Sequence, residues 1–166
     1  MAPAANAPLA MWSVICARAL FPGRRPPNNR VRTMNNSNGD GSVGDPVSRA
    51  KGVMAAHIAA LNAGDEAGLA ATLHFPHYRL SGGSLKTWDG PGQYLADFLA
   101  RAGNGWHHSA WDSLDVIAAE PGKVHLDVRF TRYREDNSVL GKFRSLWVIA
   151  EINGVWAAQL RSSFAP

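Results

Sequence analysis

The sequence predicts an α+β domain in which a curved antiparallel sheet wraps around three N-terminal helices. Three observations support this fold class. Apolar residues recur at helical spacing after residue 45, a Gly-rich turn separates two short apolar segments within residues 77–88, and apolar and polar residues alternate after Gly105. Helices that cover one face of an antiparallel sheet bury the apolar surfaces of both layers.

Length and composition predict one globular domain. The chain has 166 residues, of which 46% are hydrophobic and 18% are charged, as is typical of folded proteins. No apolar run reaches the ~18 residues that a membrane-spanning helix requires. A lone cysteine, Cys16, excludes an intrachain disulfide and a cysteine-built zinc site. We therefore expect a cytoplasmic protein without a membrane partner.

Residues 1–45 are predicted to form a disordered tail, because prolines interrupt the segment and residues 35–44 are polar and Gly-rich. Residues 1–33 contain five arginines and no acidic residue, which is typical of an organelle transit peptide. We favour the alternative that translation starts at Met34 and that the preceding residues come from an over-extended reading frame. The folded domain then spans residues 46–166.

The positive charge belongs to the tail. Residues 1–50 contain six basic and two acidic side chains, which account for the whole net charge of +4, whereas residues 51–166 contain eleven of each. Nucleic-acid binding needs several Lys or Arg side chains on one face of the folded unit. We therefore expect no nucleic-acid partner.

The first predicted helix begins at Pro46. Asp45 is a suitable N-cap, and proline is favoured at the first helical position. The apolar stripe of this helix has spacings of three and four residues and consists of Val47, Ala50, Met54, Ile58 and Leu61. Gly64 can adopt the left-handed conformation that ends a helix.

A second, shorter helix is predicted to begin after Asp65 and to carry Leu69 and Leu73. It should end at Phe75-Pro76, because proline disfavours the α conformation of the preceding residue. The two helices therefore form a helix-turn-helix pair.

A short hairpin is predicted next, with strands at residues 77–80 and 85–88 around a turn at residues 81–84. A third helix should begin at residues 89–91, in the same manner as the first, and end at Gly103. Its predicted buried face consists of Leu95, Phe98, Leu99 and Ala102.

The chain after Gly105 is predicted to form four long antiparallel strands in a meander. Apolar and polar residues alternate over residues 124–131, which is the period of a strand with two different faces. Asn153-Gly154 lies between two strand-like segments and is a strong hairpin signal.

The order of these elements, together with three segments, resembles the nuclear transport factor 2-like superfamily and, within it, the SnoaL-like proteins. The segments are residues 60–65 (Ala-Leu-Asn-Ala-Gly-Asp), 88–91 (Trp-Asp-Gly-Pro) and 154–163 (Gly-Val-Trp-Ala-Ala-Gln-Leu-Arg-Ser-Ser). The resemblance covers roughly residues 46–166. It implies a cone-shaped sheet with an internal cavity, the cystatin-like α+β roll, and a homodimer formed through the sheet.

The resemblance also implies a hydrophobic small-molecule pocket, for which two functions remain open. The first is an isomerase, dehydratase or cyclase that acts on a small cyclic or hydrophobic substrate by histidine acid–base chemistry. The alternative is a non-catalytic ligand-binding or dimeric interaction module. Leu80 and Ser81 stand where ketosteroid isomerase-like members have a carboxylate base, which slightly favours the alternative. Neither function requires a cofactor, and the sequence has no dinucleotide- or phosphate-binding motif.

His57 and His108 are the candidate catalytic residues. His57 lies eight residues before Asp65, where ketosteroid isomerase-like members have a tyrosine that donates to the substrate oxyanion. It also lies in the apolar stripe of the first helix, so a hydrogen-bonded core histidine is the alternative. His108 or His125, with Asp112 or Asp127, would supply the His–Asp pair of the polyketide cyclase-like members.

Trp88, Trp106, Tyr78 and Arg129 are the candidate ligand-binding residues. The two tryptophans lie at the ends of predicted elements, where the cavity should open, and offer flat apolar surfaces to a cyclic molecule. Tyr78 lies on the predicted hairpin. Arg129 belongs to a group of basic residues that would suit an anionic ligand, although we favour a solvated face there. The other members of the group are Arg132, Arg134, Lys142 and Arg144.

Arg161 alternates with Gln159 and Ser163 on the last predicted strand. If this face lines the cavity, the buried cation requires a carboxylate partner or a ligand. His74 and His77 are three residues apart, but no third ligand lies nearby in sequence. We therefore expect exposed loop histidines and no metal site.

Overall fold

A computed structural model of the chain describes residues 44–165, so the predictions for residues 1–43 lie outside it. The helices of this part of the chain are α1 (Pro46–Ala63), α2 (Glu66–Ala71) and α3 (Tyr94–Ala102). Its strands are β1 (Leu73–Ser81), β2 (Ser84–Trp88), β3 (His108–Glu120), β4 (Lys123–Tyr133), β5 (Val139–Ile152) and β6 (Val155–Ser163).

The strands form one curved, unclosed sheet in the order β2-β1-β6-β5-β4-β3. Neighbouring strands are antiparallel except for β1 and β6, which are parallel. The helix α1 packs against the four strands from β3 to β6. The predicted α+β class and the meander of four long strands are therefore confirmed. The parallel β1–β6 pair was not predicted, because it joins segments that are far apart in sequence.

The turn chemistry predicted for the helix ends and the last hairpin is confirmed. Asp45 and Asp65 each accept a hydrogen bond from the backbone N–H three residues later, at 3.1 and 2.9 Å. Gly64 has a left-handed φ of 63°. Asn153 and Gly154 have φ values of 52° and 78°, as a type I′ turn requires.

The predicted end of the second helix is wrong. The helix α2 ends at Ala71, and β1 begins at Leu73. The carbonyl of Thr72 accepts a hydrogen bond of 2.9 Å from the N–H of Ala158 in β6, so pairing with a distant strand replaces the helix. Pro76 lies where the β1–β6 register is interrupted, and its missing N–H therefore costs no bond of the ladder.

The prediction of exposed loop histidines is wrong for the same reason. His77 lies in β1 with none of its surface exposed, and its Nδ1 is 3.0 Å from the carbonyl oxygen of Ala158. The Nε2 atom of His74 is 3.0 Å from the carbonyl oxygen of Ala150. Both rings are thus bound to backbone groups of the sheet.

The third helix begins later than predicted. A short 3₁₀ turn, Pro91–Gln93, precedes α3, and no side chain caps it. The buried face of α3 is formed by Tyr94 and Phe98, whereas Leu99, which was predicted to be buried, is 46% exposed. Leu95 and Ala102 are partly buried against the core, as predicted.

The core lies between the helices and the concave face of the sheet. Met54 of α1 and Trp147 of β5 are at most 1% exposed. The indole N–H of Trp111 in β3 donates to the backbone carbonyl of Met54 at 2.8 Å, which ties the edge of the sheet to α1. Within residues 44–165, no helix combines the length and apolar character needed to cross a bilayer.

A side-chain clamp also joins the end of α1 to β3. The amide nitrogen of Asn62 donates to the carbonyl of Ser109, and the N–H of Ser109 donates to the amide oxygen of Asn62, both at 2.8 Å. We expect Asn62→Ala to lower the free energy of unfolding by about 1–2 kcal/mol, because both bonds are lost. Urea denaturation followed by circular dichroism measures the loss.

The control for the Asn62 variant is Lys51→Ala, which removes an exposed side chain from the same helix. Its effect should stay within about 0.5 kcal/mol, as is usual for surface positions. Equal stabilities of the two variants would contradict a structural role for the clamp.

Candidate functional site

A small site lies between the helices and the sheet, and we call it the interior site. It is lined by side chains of α1, α3, β3, β4 and β6, namely His57, Ile58, Leu61, Tyr94, Phe98, Ser109, Trp111, Phe130, Arg132 and Arg161. Its free volume is about 10 Å³, which is roughly the space that one water molecule needs. Side chains therefore fill most of the cone, and a pocket wide enough for a cyclic molecule stays a prediction.

The hydrogen bonds of His57 define its tautomer. The hydroxyl of Thr72 donates to the carbonyl of Leu69 at 2.7 Å, so its oxygen accepts from the Nδ1–H of His57 at 2.8 Å. The Nε2 atom of the neutral ring is then a hydrogen-bond acceptor. His57 thus brings an acceptor to the interior site.

The surroundings of His57 hold it in the neutral form. Burial, together with the nearby positive charge of Arg161, lowers its pKa from 6.5 to about 3. A base with so low a pKa has little driving force to remove a proton, and the neutral ring is not an acid of useful strength near neutral pH. The side chain is therefore suited to hydrogen bonding rather than to proton transfer.

Three other side chains of the interior site each have a buried polar atom that lacks a hydrogen-bond partner. Tyr94, Arg132 and Arg161 are 2%, 5% and 8% exposed. Among the residues that the structure describes, neither the Tyr94 hydroxyl nor the Nε of either arginine has a partner. Arg161 is buried and lines the interior site, as we expected for the case in which its face of the last strand lines the cavity.

Aromatic rings surround the two guanidinium groups. The guanidinium carbon of Arg132 lies 4.7 Å from the ring centre of Phe143 and 5.3 Å from that of Phe98. That of Arg161 lies 5.0 Å from a ring centre of Trp147. Cation–π attraction of this kind stabilises a desolvated cation by about 2 kcal/mol. The rings therefore hold the guanidinium groups in place at the interior site.

Trp88 and Trp106 do not line the interior site. Trp88 is 2% exposed, and its indole N–H donates to Asp97 at 2.8 Å. Trp106 lies at its border, because its indole N–H donates to the hydroxyl of Ser109 at 2.9 Å and its ring packs on Phe98, with the ring centres 5.1 Å apart. Both tryptophans have structural roles in this arrangement.

Tyr78, His108 and Arg129 lie on the convex side of the sheet. Each is next in sequence to a buried residue of its strand, and adjacent strand residues point to opposite faces. The ring of His108 stacks on Tyr133 with the centres 4.9 Å apart. Of the six candidate site residues, the structure brings only His57 into the interior site.

The sequence did not identify Tyr94 as a candidate, and Arg132 was placed in a basic group for which a solvated face was favoured. Arg132 continues the series of inward residues that ends in Val128 and Phe130, so its spacing was a usable signal. Its charge led to its assignment to a solvated face instead. Tyr94 lies four residues before Phe98, on the same helical face, but outside the range in which the helix was predicted to bury residues.

Other parts of the molecule are weaker candidates for a functional site. Within residues 44–165, no group of three His, Cys, Asp or Glu side chains is arranged to hold a metal ion. A larger cleft of about 550 Å³ lies at the surface beside Trp106 and Arg134. Arg134 already donates to the carbonyl of Val139 at 2.9 Å. The cleft is open to solvent and contains no buried polar group that lacks a partner.

The fold and the site define a class of protein, an α+β roll with a small polar site inside its cone. No protein-family model matches the sequence, and no curated protein is significantly similar to it. Similar solved structures include an NTF-2-like protein of unknown function from Shewanella oneidensis, with 12% identity and a TM-score of 0.58 over 72% of this chain and 99% of that one. A protein with a cystatin-like fold from Nostoc punctiforme has 15% identity and a TM-score of 0.60 over 72% and 90%.

A third similar structure is Aln2 from Streptomyces sp., with 20% identity and a TM-score of 0.57 over 72% of this chain and 89% of that one. Identities this low support a common fold and no common activity. The chain therefore has the nuclear transport factor 2-like, or cystatin-like, fold, as its sequence predicted.

Proposed function

We propose that the chain is a small-molecule-binding protein whose interior site holds a compact ligand. One observation supports this proposal most strongly. Four polar side chains from four different elements meet at one site with aromatic walls, namely His57, Tyr94, Arg132 and Arg161. A few convergent polar groups within apolar walls are typical of ligand sites. Buried polar groups without partners cost folding free energy, and a ligand that bonds to them recovers it.

The second candidate is an isomerase, dehydratase or cyclase that uses His57. It is favoured by the acceptor Nε2 that His57 brings to the site. The lowered pKa of His57 argues against it, and His108 lies on the other face of the sheet. Such an enzyme would keep its rate as the pH falls from about 7 to about 5, because His57 stays unprotonated throughout this range.

Ligand binding is tested on the purified full-length chain. Native mass spectrometry detects a retained small molecule, and ligand-observed NMR screens a set of compact polar compounds. We expect at least one compound to bind to the wild type and to bind about tenfold more weakly to His57→Ala, because a buried hydrogen-bond acceptor is lost. Circular dichroism confirms that the variant is folded.

The matched control is His125→Ala, which removes a half-buried histidine from the opposite face of β4 and should leave binding unchanged. Equal losses in the two variants would show that the site is elsewhere. A screen in which no compact compound binds to the wild type would contradict the proposal.

The proposal also includes a SnoaL-like homodimer that forms through the sheet in the cytoplasm. Its support is the exposure of apolar side chains on the convex face of neighbouring strands, where Leu80 is 43% and Leu160 is 38% exposed. A second copy of the sheet would cover such side chains.

A further inference from the structure

We propose that Arg132, Arg161 and Tyr94 form a binding site for the carboxylate group of a small organic acid. This inference rests on the proposed function and names the ligand class. All three side chains are more than nine-tenths buried and line the interior site. The polar atoms that lack partners are an O–H and two guanidinium N–H groups. They are hydrogen-bond donors, so an acceptor is the group they require.

The two arginines lack a carboxylate partner in the described part of the chain. Its ion pairs within 4.0 Å involve surface residues, namely Lys86–Asp97, Lys123–Glu120 and Arg144–Asp127. A buried cation without a counter-ion is costly, and natural proteins pair such groups or use them for binding. An anion at Arg132 and Arg161 would supply the missing negative charge.

The guanidinium group of Arg101 adds to the positive charge around Arg132 and Arg161. Burial, followed by the charge of Arg161, lowers the pKa of Arg101 and of Arg132 to about 10. The same charge contributes to the low pKa of His57 and of His77. The positive groups are therefore close enough to repel one another, and an anion bound among them would relieve this repulsion.

The aromatic rings stabilise the charge of the two arginines but do not satisfy their N–H groups. A ring face attracts the positive charge of a guanidinium group, as it does where Arg161 lies over Trp147. It does not accept a hydrogen bond of ordinary strength from the N–H groups. The N–H of each Nε is therefore still available to a carboxylate oxygen.

The planar donors and the aromatic walls of the site favour a carboxylate over a phosphate. A carboxylate is flat, carries one charge and matches the planar donor pattern of a guanidinium group. A phosphate is tetrahedral and carries up to two charges, so its desolvation between aromatic walls costs more than that of a carboxylate. Phe98, Trp111 and Phe130 would contact the apolar remainder of the acid. Nε2 of His57 can accept from a hydroxyl group of the same molecule.

The test compares the thermal unfolding of the full-length chain in sodium acetate, benzoate, phosphate and chloride at equal ionic strength near pH 7, with benzamide as the neutral counterpart of benzoate. We expect acetate or benzoate to raise Tm above its value in chloride, in proportion to the logarithm of its concentration. Phosphate should resemble chloride. Isothermal titration calorimetry then gives Kd for the carboxylate.

Three variants assign the effect to the site. Arg161→Met replaces the buried cation with an apolar side chain and should weaken carboxylate binding more than about tenfold. Tyr94→Phe removes only a hydroxyl that has no partner, so it should fold normally and weaken binding about fivefold. Arg134→Met removes an exposed arginine just beyond the end of β4 and should leave Kd unchanged.

Three results would overturn the inference. They are a Tm in both carboxylates equal to that in chloride, an unchanged Kd in Arg161→Met and Tyr94→Phe, and stabilisation by phosphate instead of carboxylate. If benzamide raises Tm as much as benzoate, the proposed small-molecule binding stands and the carboxylate site is wrong.

Discussion

Acidification from about pH 7 to about pH 5 is expected to lower the free energy of unfolding by about 2 kcal/mol for each of two buried histidines, His57 and His77. Burial lowers the pKa of His57 from 6.5 to about 3 and that of His77 from 6.5 to about 4. Below pH 6.5 the unfolded chain therefore binds protons that the folded chain does not. Stability is highest above the unfolded pKa and falls until the folded rings also titrate.

Urea denaturation at several pH values between about 5 and 8 measures this effect. The carboxyl groups with shifted pKa values, those of Asp97, Asp127 and Asp136, are shifted downward and titrate below this window. The change of the free energy of unfolding with pH in this window is therefore caused by the histidines.

Single variants separate the contributions of the two histidines to the pH dependence of stability. His57→Gln should remove about half of the pH dependence, because one of the two depressed titrations is lost. His125→Gln changes a half-buried ring on β4 and should leave the slope as in the wild type. A wild type that is equally stable at the two ends of the window would refute the neutral state of both rings.

Trp147→Ala is expected to have the largest effect of any single substitution considered, a loss of about 3–5 kcal/mol in the free energy of unfolding. Trp147 is 1% exposed. Its ring centre lies 5.1 Å from that of His57, and the guanidinium of Arg161 lies 5.0 Å from it. Truncation would create a cavity beside the interior site and remove the ring that faces the cation.

Two further variants distinguish packing from polar effects. Trp147→Phe keeps an aromatic ring and should lose less than half as much, because the indole N–H of Trp147 has no hydrogen-bond partner among the described residues. Trp156→Ala removes a half-buried tryptophan from β6 and should also cost less. Circular dichroism during denaturation avoids the change in tryptophan fluorescence. Similar losses for Trp147→Ala and Trp156→Ala would contradict the central position of Trp147.

Features that depend on a few neighbouring residues were predictable from the sequence. Asp45 and Asp65 cap their helices, and Asn153-Gly154 forms the last hairpin, because a cap or tight turn is stabilised by bonds within about four residues. The alternation along β4 likewise follows from the geometry of one strand. The order of such elements was sufficient to predict the fold class.

Features that depend on distant partners were not predictable in this way. The residues 72–81 form an end of helix or a strand according to whether β6 is present to pair with them, and the observed pairing placed His77 in the core. The pairing with β6 stabilises the strand, and this contribution cannot be estimated from the residues of the segment itself.

The interior site combines features that the sequence predicts with features that depend on distant contacts. The sequence alone determined the scaffold, the N-caps of the first two helices, the place of His57 in the apolar stripe of the first helix, and the condition that a buried Arg161 requires a carboxylate partner or a ligand. Only the tertiary structure decided that Tyr94 of α3, Arg132 of β4 and Arg161 of β6 meet, and that no carboxylate of residues 44–165 joins the two arginines. The physical reason is that burial and electrostatic pairing are properties of groups from separate elements, whereas a sequence pattern describes one element at a time.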